Sequence, residues 1–251
     1  MALRIFTNIS SLNSQRAMQI NNARLGSSLE RIASGIRLQR SSDDIAAMSV
    51  SDALHGDAVA LRQGAKNLAD GFSLINTADG AVSEQMSILI RLREITSQAA
   101  TGTIGDTERA TVNMEFTALR REFDRIAATS EFNGRKLLDG SLSSGSSDTT
   151  VIQLGLDSSD NNRFNLNTEI NLSATTSSNL GFSTDSIATD TGALKAMSNL
   201  TEAIEKLSAI RGRIGAVQER LQYAKDHLNS SVENLTGAIS TMRDADFAEE
   251  F

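Results

Sequence analysis

Adjacent carboxylates are the first candidates for chemistry in this sequence. Asp43 and Asp44 follow Ser41 and Ser42, and two neighbouring carboxylates could act as a general acid and a general base. The same pattern is typical of a helix N-terminus, where serine and aspartate oxygens accept hydrogen bonds from unpaired backbone amides. We therefore predict that a helix begins here, and no catalytic residue is assigned.

Other polar patterns lack the spacing that metal or phosphate chemistry requires. His55 and His227 are the only histidines, and neither belongs to a His-Glu-x-x-His zinc pattern. Gly102 and Gly105 are not followed by the lysine of a phosphate-binding loop. The chain has no cysteine, which excludes disulfides and thiol chemistry. The sequence thus predicts no enzyme, no metal site and no cofactor.

Apolar residues recur every seven positions in two long segments, which is the pattern of a coiled-coil seam. No proline interrupts either segment, so long helices are permitted over about 44–100 and 194–242. The two seam rows are Leu54, Leu61, Leu68, Ile75, Val82 and Leu89 in the first segment and Leu200, Leu207, Ile214, Leu221, Leu228 and Leu235 in the second.

A companion row is expected four residues after members of each seam row, because positions i and i+4 share one helix face. The first segment then contributes Ala58, Ala65, Phe72, Asp79, Met86 and Arg93, and the second contributes Ile204, Val232 and Ile239. Two residues of the first companion row are charged, which makes this seam weakest near Asp79 and Gly80.

Two shorter amphipathic helices are also predicted. Five apolar residues between Val112 and Ile126 are spaced four and three apart, and the short connection makes this helix an antiparallel neighbour of the first long one. A further helix lies near the N-terminus and is terminated with the help of Gly35. Its apolar residues, for which the local sequence offers no partner, are Ile5, Ile9, Leu12, Leu25, Leu29, Ile32 and Ile36.

The middle of the chain has a different composition. Ser, Thr, Asn, Asp and Gly dominate residues 141–191, and short alternations at 152–154 and 164–166 predict one or two β-hairpins with exposed loops. The predicted fold class is therefore mainly α, a long antiparallel coiled-coil helical bundle with a small β-hairpin-containing central insertion.

Charge and hydropathy restrict the partners. The formal net charge is -7 and the pI is near 5.0, so the phosphates of a nucleic acid would repel the surface. No apolar run is long enough to span a membrane, and the N-terminus lacks the basic and apolar regions of a cleaved secretory signal. We predict neither a nucleic-acid nor a membrane partner, and any export must use another route.

Several short motifs occur in a fixed order outside the insertion. They are ERIASGIRL at 30–38, SDD at 42–44, NLADG at 67–71, ADGA at 78–81, LREI at 92–95, EFNG at 131–134, GAVQER at 215–220 and DADF at 244–247. In this order they resemble the bacterial flagellin family. The resemblance implies a secreted structural subunit that polymerises into the flagellar filament for motility and is exported by the flagellar type III apparatus.

The same resemblance implies partners and domain roles. The partners would be other flagellin subunits in a homopolymer, the flagellar export machinery and a chaperone, with an extracellular location. Flagellins continue past the Asp-Ala-Asp motif into a terminal helix that pairs with the N-terminal one, so most of that helix is expected to be missing from a chain that stops at Phe251. The implied domains are an N-terminal assembly segment and linker at 1–43, helical rods at 44–140 and 192–242, a solvent-facing insertion at 141–191, and a stump of the C-terminal assembly segment at 243–251.

Toll-like receptor 5, an innate-immune receptor, is a further partner that the resemblance implies. The family motif "RVRELAVQ" aligns with residues 91–98, where Thr96 and Ser97 replace its Ala-Val pair. The implied receptor or subunit contacts are Arg91, Leu92, Arg93, Glu94, Ile95 and Gln98, with Glu115 on the neighbouring helix.

Two alternatives share much of this pattern. A hook–filament junction protein has similar terminal helices, but it usually carries proline directly after the paired aspartates, where this chain has Ile45. A coiled-coil adaptor would bind a partner helix and form a discrete dimer instead of an open polymer.

Overall fold

The computed structural model describes residues 8–250, so the predicted apolar residue Ile5 and the terminal Phe251 lie outside the described residues. The chain divides into two compact units. Within the described residues, one contains 8–60 and 230–250, and the other contains 61–229. We call them the terminal unit and the central unit.

Helices account for 72% of the structure, which confirms the predicted mainly α class. The helices are α1 (Ile9–Ser34), α2 (Ile45–Ala99), α3 (Asp106–Thr129), α4 (Leu166–Ile170), α5 (Ser177–Leu180), α6 (Asp190–Arg243) and α7 (Phe247–Glu250). The strands are β1 (Glu131–Phe132), β2 (Arg135–Lys136), β3 (Val151–Gln153) and β4 (Arg163–Asn165), and a 3-10 turn spans Asp160–Asn162.

The predicted helix start at the paired aspartates is confirmed. Helix α2 begins at Ile45, and the Asp44 Oδ1 accepts from the Ala47 amide at 3.0 Å. The Asp43 carboxylate accepts from the Gln39 and Arg40 amides at 3.2 and 3.1 Å. Asp44 therefore caps the helix as the sequence pattern indicates, whereas Asp43 holds the loop that precedes it.

The heptad rows form the core of the central unit. Leu68, Ile75, Val82 and Leu89 of α2 are at most 1% exposed, and Leu61 is 9% exposed. In α6, Leu200, Leu207, Ile214, Leu221 and Leu228 are buried in the same way. The outermost predicted members, Leu54 and Leu235, belong to the terminal unit and are half-buried.

The predicted companion rows are wrong in the central unit, because the second buried row follows the first by three residues instead of four. Members of the predicted row in α2 are only half-buried (Ala65, Phe72, Asp79 and Met86) or exposed (Arg93). In α6, Ile204 is also only half-buried. The buried positions are Gly64, Gly71, Ala78, Gln85, Leu92 and Ala99 in α2 and Ala196, Ala203, Ile210 and Val217 in α6. Small side chains predominate in this row, so neighbouring segments can approach the helix closely.

Polar contacts across the central unit show that α2 and its neighbours run antiparallel. Asn76 and Asp79 of α2 contact Gln218 and Arg211 of α6 at 2.9 and 3.4 Å, so the numbers rise along one helix while they fall along the other. The contact of Arg91 with Glu115 and of Ala99 with Arg109 gives the same direction for α2 and α3. The predicted antiparallel arrangement is present.

Two antiparallel strand pairs lie between α3 and α6. Strands β1 and β2 pair around Asn133 and Gly134, whose φ angles of 49° and 77° suit a tight hairpin turn. Strand β3 pairs with β4 in the register Ile152↔Phe164, which brings together the two alternating segments of the predicted insertion. The apolar side chains of this insertion are buried, so it has a small core of its own. Buried members are Leu142, Ile152, Phe164, Leu166, Ile170, Leu172, Leu180, Phe182 and Ile187.

In the terminal unit, three hydrogen bonds join the residues after α1 to the end of α6. Gly35 ends α1 with a φ of 70°, a left-handed conformation that glycine adopts without strain. The Arg37 amide and guanidinium donate to the carbonyl oxygens of Arg243 and Met242 at 2.8 and 2.9 Å. The Ala245 amide in turn donates to Gly35 at 2.9 Å.

Candidate protein contact surfaces

Helix α1 has no buried residue along its 26 positions. At about 100° per residue, Met18, Leu25 and Leu29 lie within roughly 40° of one another around the axis; we call these three the C-proximal apolar set. They are 65%, 62% and 57% exposed. A helix face of this kind is ordinarily covered by another protein element.

A second group of apolar side chains lies on roughly the opposite side of α1. Ile9, Leu12 and Ile20, the N-proximal apolar set, fall within about 80° of one another and are 62%, 54% and 47% exposed. An amphipathic helix at a protein surface normally has one apolar face, whereas a helix that is apolar on several sides is typically surrounded by protein. Helix α1 therefore offers surfaces to more than one neighbour.

An exposed ion-pair cluster links α2 to α3. Arg91 Nη1 donates to Glu94 Oε2 at 2.8 Å, and its Nη2 donates to Glu115 Oε1 at 2.8 Å. The hydrogen bond to Glu94, followed by that to Glu115, raises the pKa of the Arg91 guanidinium above its ordinary value. All three side chains are roughly half exposed or more, so the cluster adds little to stability but presents charge of both signs to a partner.

The structure separates the predicted receptor-contact residues into two groups. Leu92 and Ile95 are 0% and 1% exposed, so they belong to the core and their predicted role as surface contacts is corrected. A motif is continuous along the sequence, whereas a helix turns its successive residues to different sides. The remaining residues, which are accessible, are Arg91, Arg93, Glu94, Gln98 and Glu115.

Two exposed apolar residues near this cluster were not predicted. Ile90 is 58% exposed and Met114 is 66% exposed, and each precedes a member of the ion-pair cluster. Ile90 follows the seam residue Leu89 directly and therefore lies off the heptad row, which indicates an exposed position. Thr96 is buried and donates to Leu92 O at 2.6 Å, which leaves Ser97 as the only accessible change from the family motif.

A buried arginine closes the connection between α2 and α3. Arg109 is 6% exposed, and its Nη1 and Nη2 donate to the carbonyl oxygens of Ala99 and Ile104 at 2.6 and 3.1 Å. The same guanidinium lies 4.0 Å from Asp190 at the start of α6. The spacing of Arg109, Phe116 and Phe123, seven residues each, could have identified it as an inward-facing position.

Metal ligands and membrane-spanning helices can be checked over the described part of the chain. Within residues 8–250, no three acidic or histidine side chains come together in a way that could hold a metal ion. The helices in the same range are not apolar over a sufficient length to cross a membrane. His55 and His227 are both exposed.

Comparisons with known proteins identify similar chains and a matching family. The bacterial flagellin N-terminal helical region matches residues 5–143, and the C-terminal helical region matches residues 197–251. A flagellin of Halalkalibacterium halodurans is 35% identical over 97% of this chain and 86% of its own length. Among solved structures, Bacillus cereus flagellin has a TM-score of 0.56 at 26% identity, covering 65% of this chain and 88% of its own.

A second solved structure resembles the fold alone. A putative flagellar hook-associated protein of Vibrio parahaemolyticus has a TM-score of 0.64 over 80% of this chain and all of its own. Its sequence identity is only 14%, so the likeness carries no statement about shared function.

Proposed function

This chain belongs to the bacterial flagellin family, and from that premise we propose that both apolar sets of α1 are covered by neighbouring subunits when it polymerises. Members of the family are structural subunits of the extracellular flagellar filament and not enzymes. The question that the structure raises is which surfaces hold one subunit to the next.

The exposure of α1 is the observation that supports this proposal. Burying one leucine or methionine fully contributes about 1.5 to 3 kcal/mol, and α1 carries six large apolar side chains that are each about half exposed or more. Because they lie on two sides, a single partner helix would leave one set in water. In a homopolymer, each copy can supply the cover for the next.

Changing one residue of the C-proximal apolar set tests the proposal. Leu25→Asp should leave the helical content of the monomer unchanged, because Leu25 has no buried contact to lose. Loss of about 2 kcal/mol of subunit contact should raise the critical concentration for polymerisation about thirtyfold. The measurement is sedimentation and negative-stain microscopy after adding a precipitating salt and filament seeds.

Ala17→Asp is the matched control, since Ala17 is exposed on the same helix and lies between the two apolar sets, about 60° or more around the axis from either. It adds the same charge and should polymerise like the unchanged protein. Filaments of equal yield from Leu25→Asp would contradict the proposal. The same images test the alternatives, because a junction protein would form no long filaments and an adaptor would give a discrete dimer.

We further propose the domain roles that the family resemblance implies. Residues 1–43 and 243–251 would serve assembly, and 44–140 with 192–242 would form the helical part around the insertion at 141–191. Export would use the flagellar type III machinery with a chaperone. Secretion of the protein by a strain that lacks this machinery would contradict the export route.

The ion-pair cluster on α2 and α3 supports a second proposal, that Toll-like receptor 5 binds here. Arg91 is held between Glu94 and Glu115 with its edge exposed, and pre-ordered arginines are common binding hot spots. Arg91→Ala should weaken binding of the receptor ectodomain at least tenfold. Biolayer interferometry would measure the Kd, and a receptor reporter assay would measure signalling.

Arg125→Ala provides the control for the receptor experiment. Arg125 is also exposed on α3 and pairs with Glu122 at 2.5 Å, but it lies ten residues along the chain from Glu115. It should bind the receptor like the unchanged protein. Equal affinity of the Arg91 and Arg125 variants, or no binding by the unchanged chain, would eliminate this proposal.

A further inference from the structure

The buried rows of α2 and α6 are compatible with more than one alignment. Each row repeats every seven residues, so sliding α6 by one heptad along α2 would replace one large apolar side chain by another. The connection between α3 and α6 contains about sixty residues and imposes no tight limit on such a shift. The apolar rows therefore do not select a single register by themselves.

Residues 141–189, which include β3 and β4, make specific contacts with α2. A Cβ added at Gly64 would overlap the carbonyl oxygen of Leu154, and one at Gly71 would overlap the Ile152 side chain. Between these glycines, Asn67 Nδ2 donates to Gln153 O at 3.1 Å. Strand β3 and the residue after it thus lie in a notch that Gly64 and Gly71 provide.

Gln85 anchors a second point of the same segment on α2. Its Nε2 donates to Thr175 O at 3.0 Å and to Phe123 O at 3.2 Å, and its side chain is fully buried. Gln85 is the single polar residue in the second buried row of α2. A polar residue in an apolar seam commonly specifies register, because any other alignment leaves its amide without a partner.

The same segment also contacts α3. The Ser177 amide and hydroxyl both donate to the Asp124 carboxylate at 2.7 Å. The rings of Phe123 and Phe182 meet edge to face, with centroids 5.3 Å apart. The two contacts hold α5 and the residue after Gly181 against α3.

Contacts with α6 complete the connection. Glu169 pairs with Arg220, whose guanidinium lies over the Phe164 ring at 5.1 Å. The buried Asp185 accepts from Asn199 Nδ2 at 3.0 Å. The segment therefore holds residues of α2 and α6 at the same time.

We propose that residues 141–189 fix the register in which α6 pairs with α2. A shift by one heptad would displace α6 by about 10 Å along the axis. The segment could not then keep its contacts with Gly64, Asn67 and Gln85 on one side and with Asn199 and Arg220 on the other. The insertion thus acts as a spacer that selects one alignment among those the apolar rows permit, a role distinct from polymerisation.

Cysteine crosslinking can measure the register, because the chain has no cysteine of its own. Asn76→Cys with Gln218→Cys reports the observed alignment, in which these side chains are 2.9 Å apart. Asn76→Cys with Lys225→Cys reports an alignment shifted by one heptad. A short bifunctional thiol reagent joins cysteines that face each other, and a shift of one heptad moves them about 10 Å apart along the axis, so each pair should crosslink mainly in its own register.

Gly64→Ala displaces β3 from its notch, since the added methyl group meets backbone that cannot move independently. In this variant the crosslinked fraction of the 76/225 pair should rise at least fivefold, while that of the 76/218 pair falls. Gly80→Ala is the matched control, because Gly80 lies in α2 with nothing within 4 Å of an added Cβ. It should give the 76/218 crosslink alone.

A second variant keeps the test decisive if Gly64→Ala loses its helical circular dichroism. Gln85→Leu preserves the size and apolar packing of the buried row but removes the hydrogen bond to Thr175, and it should also increase the 76/225 crosslink. Retention of the 76/218 crosslink alone in every helical variant would overturn the proposal. Because crosslinking is performed on the monomer, this outcome would leave the assembly proposal untouched.

Discussion

Leu68 in α2 and Leu25 in α1 belong to equally clear apolar patterns, yet the first is 1% exposed and the second 62%. The difference lies in their surroundings. Leu68 belongs to the central unit, where α2, α3 and α6 cover one another, whereas α1 has no buried residue. Apolar periodicity therefore predicts that a face will be covered, but it does not tell whether the cover comes from the same chain or from another copy.

A leucine-to-aspartate substitution should change the free energy of unfolding in one region and leave it unchanged in the other. Leu221→Asp places a carboxylate at a position that is 1% exposed in the central unit. Losing the leucine leaves a cavity, and burying a charge adds a further cost. We expect the free energy of unfolding to fall by at least about 4 kcal/mol. Urea unfolding followed by circular dichroism at 222 nm would measure this loss.

Leu25→Asp is the counterpart in α1 and should leave the same unfolding curve unchanged. The comparison fails if the two variants unfold alike. Unchanged helicity and stability in Leu221→Asp would show that the α6 row is not a closed seam, and a large loss in Leu25→Asp would show that α1 is packed within its own chain.

The long helices could be predicted from the sequence because the same signal repeats many times. Helix α2 was expected over about 44–100 and is observed at Ile45–Ala99, and α6 was expected over about 194–242 and is observed at Asp190–Arg243. Each boundary agrees within four residues. In each of these segments, six seam residues at heptad spacing and the absence of proline favour one long helix. For α2, the polar cap at its start favours the same boundary.

The second buried row could not be found in the same way. Phe72 and Met86 are large and apolar and fit a four-residue offset, whereas Gly64 and Gly71 carry no hydrophobic signal. The glycines are buried because β3 and the residue after it approach α2 there. That contact joins residues about ninety positions apart in the sequence, and a local pattern carries no information about it.

The exposure of the residues in the 91–98 motif was predicted in part. The exposed charges of the 91–98 motif were identified, but Leu92 and Ile95 were assigned to the same surface although they are buried. The family motif describes a stretch of sequence, while a partner contacts only one side of a helix. Arg109 was missed because arginine is rarely buried, and its role depends on the path of the residues between α2 and α3.

Arg109 extends the comparison between buried and exposed positions from apolar to charged side chains. In Arg109→Ala, the carbonyl oxygens of Ala99 and Ile104 lose their guanidinium donors in a region that is largely closed to water. A buried hydrogen-bond acceptor without a partner costs about 1 to 3 kcal/mol. We expect an overall loss of about 2 to 3 kcal/mol in the free energy of unfolding, measured by urea denaturation.

Arg125→Ala is the exposed counterpart on the same helix, where Arg125 pairs with Glu122 and both side chains are at least 45% exposed. Water can replace such a pair, so its loss should be small beside that of Arg109→Ala. The buried Arg109 Nε has no protein partner within the described residues, which lowers the net contribution of Arg109 but does not relieve the carbonyl oxygens. Equal stabilities of the two variants would mean that water reaches those carbonyls, and that the α2–α3 turn is open instead of closed by Arg109.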